Sequence, residues 1–318
     1  MADFQATALR GGQVNAAGDA KALFLKQWSG EVLAAFEDGL VFNESRHMVR
    51  TIASGKSSSF PMTGRVFAKY HTPGAELVGQ TGNVNERIIS IDDLLVADVF
   101  FPKIDEAMSH YDYRAPFTQK AGYALASAMD KNVAAVGILA ARSTAAVTGE
   151  AGGTVLTNAA YSTDSAVLAQ GIWAAAQTLD EKFIPEMSRA IFLRPAQYYI
   201  LAQNTVVLQQ DIGGAGSYSD GKILRISGIE IVKTNNLPNT NITATPINGY
   251  VTPAAYQGNF STTVGLIMTP EAVGTVRLMD LHSEMEYQMR YKGTLVTSEY
   301  ALGHGVLRAD CAVELKTA

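Results

Sequence analysis

Apolar positions recur at helical spacing near the start of the chain and then give way to extended patterning. Asp19 suits the free amides of a first helical turn. Behind it Leu23, Phe24, Leu33, Ala34 and Ala35 run without a proline, which predicts a helix from Asp19 to Leu40 with a stop at Gly39. From His47 to Ile104 the apolar residues become β-branched and aromatic, in Val49, Ile52, Phe60, Val66, Phe67 and Tyr70 and again in Ile88, Ile89, Ile91, Leu94, Val96 and Val99. Thr72, Pro73, Gly74, Gly79, Gly82 and Asn83 separate the two runs as turn and loop residues. The pattern predicts one very long two-stranded excursion. An isolated two-stranded ribbon is marginal in water and exposes two edges, so this one needs a partner surface.

Pro116 fits a first helical turn, and Phe117 to Arg142 then continues for about seven turns. Ala121, Gly122, Ala124, Ala128, Ala134, Ala135 and Gly137 let its backbone approach another element closely, while Leu125, Met129, Val133, Val136 and Leu139 supply an apolar side. A second helix is expected from Thr163 through Leu168, Ile172, Trp173 and Leu179. Beyond it the pattern predicts a strand at Arg189 to Leu193, a proline-opened helix at Pro195 to Gln203 and a hairpin at Ile223 to Val232 turning near Ser227 and Gly228. An exposed loop is expected from Thr234 to Pro253, and strands from Val264 to Ala312. Without a regular strand-helix rhythm the class is α+β.

The 318 residues, 47% hydrophobic and 17% charged, are enough for one elaborated domain or two and exclude a disordered or fibrous chain. The start, Met1 to Gly18, has no apolar core of a secretory signal, and no unbroken run of about 18 apolar residues occurs, so a chain made in a cytoplasm without a membrane is expected. Cys311, the single cysteine, fits that compartment as a packed thiol. A net charge of −5 with dispersed Lys and Arg argues against an affinity built on phosphate neutralisation.

Motifs for chemistry fail in turn. Gly55, Lys56 and Ser57 resemble the end of a phosphate loop, but Arg50 stands where another glycine is required. Gly213, Gly214 and Gly216 lack a third glycine at dinucleotide spacing and read as a flexible loop. His47, His71, His110, His282 and His304 show no metal-ligand spacing, and no Gly-x-Ser-x-Gly elbow occurs. No catalytic, cofactor or metal residue is therefore assigned, and a hydrolase or nucleotide enzyme has no anchor.

Several stretches do form a pattern. Gly18, Asp19, Ala22 to Lys26, Gly30 to Leu33, Ala35 and Phe36 come first. Ser45 to Arg50 then leads into Ser54 to Ser57, Phe60, Pro61, Gly64 and Arg65. Ile91, Asp92, Leu94, Leu95 and Ala97 to Val99 precede Ala107, Met108, His110 to Asp112 and Arg114. Near the C-terminus stand Ala272 to Val276, Leu278, Asp280, Leu281, Tyr300, Ala301, Gly303 to Gly305, Leu307 and Arg308. Together they resemble the major capsid proteins of short-tailed, T-seven-like podoviruses over almost the whole chain. Little resemblance is found in Ala145 to Tyr161 and Ser217 to Phe260.

The resemblance implies a tailed-phage capsid fold of the Hong Kong 97 type. Its parts would be an N-terminal arm (1–45), an extended loop (46–104), a peripheral domain with a long spine helix (105–190 and 269–318) and an axial domain (191–268). It implies a virion shell of hexamers and pentamers of this chain, assembled in a bacterial cytoplasm with scaffold and portal proteins around double-stranded DNA that is not bound by sequence. Arg46, Arg50, Lys56, Arg65, Lys69, Glu76, Glu86 and Arg87 are expected to bridge subunits, with Asp105, Glu106, Glu284 and Glu286 as acidic partners. The alternative for each is a solvated charge contributing about 0–1 kcal/mol. Covalent crosslinks through Lys56 or Lys69 are not expected. An encapsulin-like cellular compartment, which shares the fold, is the closest rival.

Overall fold

The computed structural model describes residues 41–80, 82–108, 114–204, 216–217, 222–223, 225–244 and 252–317; the helix expected from Asp19 to Leu40 lies outside them. In chain order come β1 (Met48–Thr51), β2 (Ser57–Thr63), β3 (Val84–Ser90), β4 (Leu95–Pro102), α1 (Lys103–Met108) and α2 (Arg114–Ala141). Next are β5 (Thr154–Thr157), α3 (Ser165–Glu181), β6 (Ala190–Leu193) and α4 (Pro195–Ala202), then β7 (Gly216–Ser217), β8 (Lys222–Ile223), β9 (Arg225–Ile226) and β10 (Ile229–Lys233). The chain ends through β11 (Asn241–Ile242), β12 (Gly258–Asn259), β13 (Thr263–Met268), β14 (Val273–Gln288), β15 (Gly293–Val306) and β16 (Ala312–Lys316).

Two compact units share these elements. The larger gathers Leu40–Asp92, Met129–Leu278 and Leu302–Ala318. At its centre is a six-stranded sheet in the order β5-β16-β13-β6-β10-β9. β6 and β13 are buried at every position, so both faces of the sheet are covered and the strands read as continuous apolar runs. The core joins Ile191, Phe192, Leu266, Ile267, Val313 and Leu315 to Val133–Val136 of α2 and Leu168, Ile172 and Leu179 of α3. Phe42 stacks on Phe192 with ring centroids 4.2 Å apart. One sheet thus draws β5 and β16 from the segments assigned to the peripheral domain and β6 and β13 from the axial segment.

The smaller unit includes Asp93–Ala128 and Met279–Ala301. Here β4 pairs antiparallel with β15 from Leu95↔Tyr300 to Pro102↔Gly293, over a small core of Phe101, Val296 and Val99. The Tyr300 hydroxyl donates to the Leu125 carbonyl at 3.0 Å.

Local signals explain the elements. Asp164 caps α3, its carboxylate accepting from Ala166 N at 2.8 Å. Pro195 opens α4, and Ser227 (φ 51°) and Gly228 (φ 74°) form the two-residue turn between β9 and β10. Gly122–Ala141 of α2 has the length and mean hydropathy (1.3) of a membrane span, yet 56% of that window is buried in the protein. It is a core helix by packing. Gly137 is where it touches β13: an added Cβ would lie 2.7 Å from Leu266 Cδ2 and 3.1 Å from Met268 Sδ. Gly137→Ala is therefore expected to destabilise by about 1–2 kcal/mol despite a helix-propensity gain of about 1 kcal/mol. Gly122→Ala, where an added Cβ meets nothing within 4 Å, is expected to stabilise. Urea denaturation of the unassembled subunit separates them, and equal effects of one sign would refute the close approach.

Three expectations change. The excursion is paired as a ribbon only through β2 and β3, because β1 lies parallel to β14 and β4 joins β15. Extended structure ends at Pro102, where α1 begins. Thr234 to Pro238 is largely buried instead of exposed: Thr234 N continues the sheet by donating to Leu193 O at 2.9 Å, and Leu237 enters the core.

Candidate functional site

The β2–β3 ribbon runs in register from Ser57↔Ser90 to Thr63↔Val84. Alternation gives it one inward face, where Phe60 and Ile89 pack with Val276 and Leu307. Its far end is tied to the loop after α2: Asn83 Nδ2 donates to Thr148 O at 2.9 Å and Asn85 Nδ2 to Ala146 O at 2.5 Å. Arg65 completes the anchor. Its backbone N donates to Glu150 Oε1 at 2.6 Å, its guanidinium reaches Glu150 Oε2 at 3.1 Å and Lys182 O at 2.5 Å, and it lies 5.2 Å from the Phe183 ring.

Beyond Arg65 the tip touches only itself among the described residues, through Phe67 with Gln80 and Lys69 Nζ with Val78 O at 3.1 Å. Its apolar side chains are bare: Tyr70 is fully exposed, Phe67 72% and Leu77 69%. Contiguous exposure of this kind marks an interaction surface.

A cavity of about 540 Å³ opens along the ribbon, from Phe60 to Arg65 at its far end. Met48, Phe60, Val147 and Leu307 give it apolar walls, and charged groups surround them. Arg308 pairs with Glu271 and Asp310, each at 2.7 Å, and Arg65 with Glu150. Arg50 is different: it stacks 4.3 Å from the Phe60 ring and donates to Ser59 O at 2.6 Å and Ser58 Oγ at 3.3 Å, with no carboxylate partner among the described residues.

Elsewhere in the larger unit, buried polar groups hold the segment at Val41 and Phe42. Asp130 of α2 accepts from Val41 N at 3.0 Å, Phe42 N at 3.1 Å and Asn236 Nδ2 at 3.0 Å; burial raises its pKa against these bonds. His47 and His304 lie edge to face, centroids 6.4 Å apart. Burial lowers the first to about 4 and the second to about 3. His304 Nδ1 meets Thr275 Oγ1 at 2.9 Å, whereas neither ring nitrogen of His47 has a protein hydrogen-bond partner. Burial pushes the Cys311 thiol up to about 12, so it is a packed thiol and no nucleophile.

Of the charges singled out in the sequence, Arg46 pairs with Glu230 at 2.7 Å, and Arg50, Arg65 and Lys69 also contact their own chain. Arg87 is partly buried beside Phe60, its Nε without a hydrogen-bond partner. Lys56, Glu76 and Glu86 are exposed, as are Glu284 and Glu286 on β14, while Asp105 is buried on α1. The Glu106 side chain lies outside the description. The structure brings Arg50 and Arg65 together at the cavity. The sequence reading missed Glu150, Phe183, Glu230, Glu271, Arg308 and Asp310, whose spacing from the ribbon carries no local signal.

Similarity to known proteins agrees with this architecture. The family described as Gp10A-like major capsid protein matches residues 59–316. The major capsid protein of Escherichia phage T7 is 34% identical, the match covering 95% of this chain and 94% of the relative; that of Enterobacteria phage T3 is also 34% identical, covering 95% and 93%. Among solved structures, the capsid of cyanophage P-SCSP1u superposes with a TM-score of 0.82 at 42% identity, covering 98% of both chains. The mature capsid of bacteriophage PhiM1, at 18% identity and a TM-score of 0.74 over 92% of each chain, shares the fold. The chain belongs to the Gp10A-like family of phage major capsid proteins.

Proposed function

We propose that this chain builds the icosahedral head of a phage as hexamers and pentamers, assembling with scaffold and portal proteins around double-stranded DNA. Its role is structural, and self-association requires no catalytic group. The observation that carries the reading is the ribbon tip, whose bare Phe67, Tyr70 and Leu77 need a neighbour to cover them. Closing a symmetric shell makes many modest contacts strong together. Within that shell residues 1–45 act as the arm, 46–104 as the extended loop, 105–190 with 269–318 as the peripheral domain and 191–268 as the axial domain, the last sharing its sheet with β5 and β16. The net charge of −5 suits a wall that confines DNA without gripping it.

Electron microscopy of the chain expressed with and without its scaffold tests this. Uniform shells that depend on the scaffold are expected. A variant with residues 66–80 replaced by a short Gly-Ser turn should keep the subunit's circular dichroism and form no shells. Folded monomers from the natural chain under both conditions would refute the reading.

A further inference from the structure

We infer that His47 and His304 form an acid-triggered latch on β1: when they take up protons, His47 leaves its buried seat and β1 lifts from the edge of β14, while the six-stranded sheet stays folded. The latch is a property of the single chain and does not rest on the shell reading.

The segment is fastened at one point. From Asn43 to Thr51 every residue is exposed or half-buried except His47, which is 2% exposed. β1 itself is four residues long and stands at the edge of its sheet, paired with β14. The ion pairs beside it, Arg46 with Glu230 and Glu44 with Arg277, have carboxylates about half exposed or more and hold it weakly. An edge strand with so little buried surface opens at low cost, whereas β6 and β13 lie inside the six-stranded sheet and are buried throughout.

The fastening is an imidazole where an apolar ring would sit at less cost. Neither ring nitrogen of His47 makes a well-formed protein hydrogen bond, and a buried polar group left in that state calls for a reason. Unlike an apolar ring, it can charge between pH 7.5 and pH 5. Facing it, with ring centroids 6.4 Å apart, is His304, itself 4% exposed. His304 Nδ1 meets Thr275 Oγ1, and its ring lies against Tyr256, whose hydroxyl bonds Asp92. Two imidazolium rings this close repel, so a charged pair favours separation.

Acid acts in the opening direction. Burial is the main reason His47 resists charge and Arg277 of β14 adds to it, while Glu44 and the Asn43 backbone oppose; the outcome is a folded pKa of about 4 against the ordinary 6.5. The closed latch is therefore favoured above pH 6.5 and loses that advantage as pH falls toward 4. Through His47 alone, the equilibrium for opening rises about thirtyfold between pH 7.5 and pH 5.

Hydrogen exchange of the unassembled full chain, read by mass spectrometry at both pH values and corrected for slower chemical exchange in acid, tests this. Protection of peptides covering Met48 to Ile52 should fall about thirtyfold or more at pH 5, while peptides covering β6 and β13 remain protected. His47→Phe and His47→Gln, uncharged at either pH, should reduce that fall about tenfold or more. His71→Phe, at an exposed imidazole, should leave it unchanged. Constant protection of Met48 to Ile52 in the natural chain would overturn the latch, as would simultaneous loss in β1 and the six-stranded sheet. A fall as steep in both His47 variants as in the natural chain would place the acid response elsewhere and overturn it too.

Discussion

Acidification from pH 7.5 to pH 5 is expected to cost the unassembled subunit about 4 kcal/mol of folding stability through His47 and His304, about 2 kcal/mol from each. Both imidazoles are buried, and burial lowers their pKa values from the ordinary 6.5 to about 4 and about 3. Below pH 6.5 the unfolded chain binds protons that the folded chain refuses, so the stability present above that pH is lost as pH falls, until the folded pKa values are reached. The surroundings do not reverse the sign. Glu44 and the Asn43 backbone favour charged His47, but burial outweighs both, Arg277 opposes it and is itself paired with Glu44, and His304 faces His47, Thr275 and Tyr256. Asp130 runs the other way: burial raises its pKa, so its protonation in acid relieves a cost instead of adding one.

His47→Phe isolates the effect. Neither ring nitrogen makes a well-formed protein hydrogen bond, so an apolar ring of similar shape sacrifices at most a weak contact with the Asn43 backbone and removes one titration. Urea midpoints between pH 7.5 and 5 should show the acid loss roughly halved in the variant. A flat profile in the natural chain, or an unchanged slope in His47→Phe, would contradict the assignment.

How much of this was legible in the sequence depended on range. The Ala- and Gly-rich run of α2, Asp164 before α3, Pro195 and the Ser227–Gly228 turn are local devices whose chemistry determines local geometry, and the structure places an element at each. The ribbon was legible as unpartnered extended chain, but not that β1 leaves it to run parallel to β14. That choice depends on residues near Gly274, and strand patterning does not name a partner. Thr234 to Pro238 read as loop from its Asn, Thr and Pro content, yet Leu193 O and Asp130 hold it inside. The candidate site was half legible. Arg50 and Arg65 stood out as charges on a ribbon, but the cavity they border is completed by residues 146, 147, 150, 151, 271 and 307–310, which only the fold assembles.

The same range problem hid the ion pair expected to matter most for the larger unit. Arg142, just past the end of α2, grips Glu314 of β16 with two bonds of 2.6 Å, and Glu314 is fully buried. Thr263 Oγ1 adds a third bond to that carboxylate at 2.7 Å, and Arg142 also donates to Asn259 O at 2.7 Å. Removing the guanidinium alone strands a carboxylate where water does not reach, so Arg142→Met is expected to cost about 3–5 kcal/mol. Replacing both partners removes the stranded charge together with its counterion. The double variant Arg142→Met with Glu314→Met should therefore be more stable than Arg142→Met alone, with a remaining loss of about 1–2 kcal/mol from the Thr263 hydroxyl and Asn259 carbonyl left without their partners. Such non-additivity is the signature of a pair acting as a unit. Chemical denaturation of the two single variants and the double variant completes the cycle. Additive losses would mean that each side chain acts by its own packing, and that the pair contributes little to holding β16 against the end of α2.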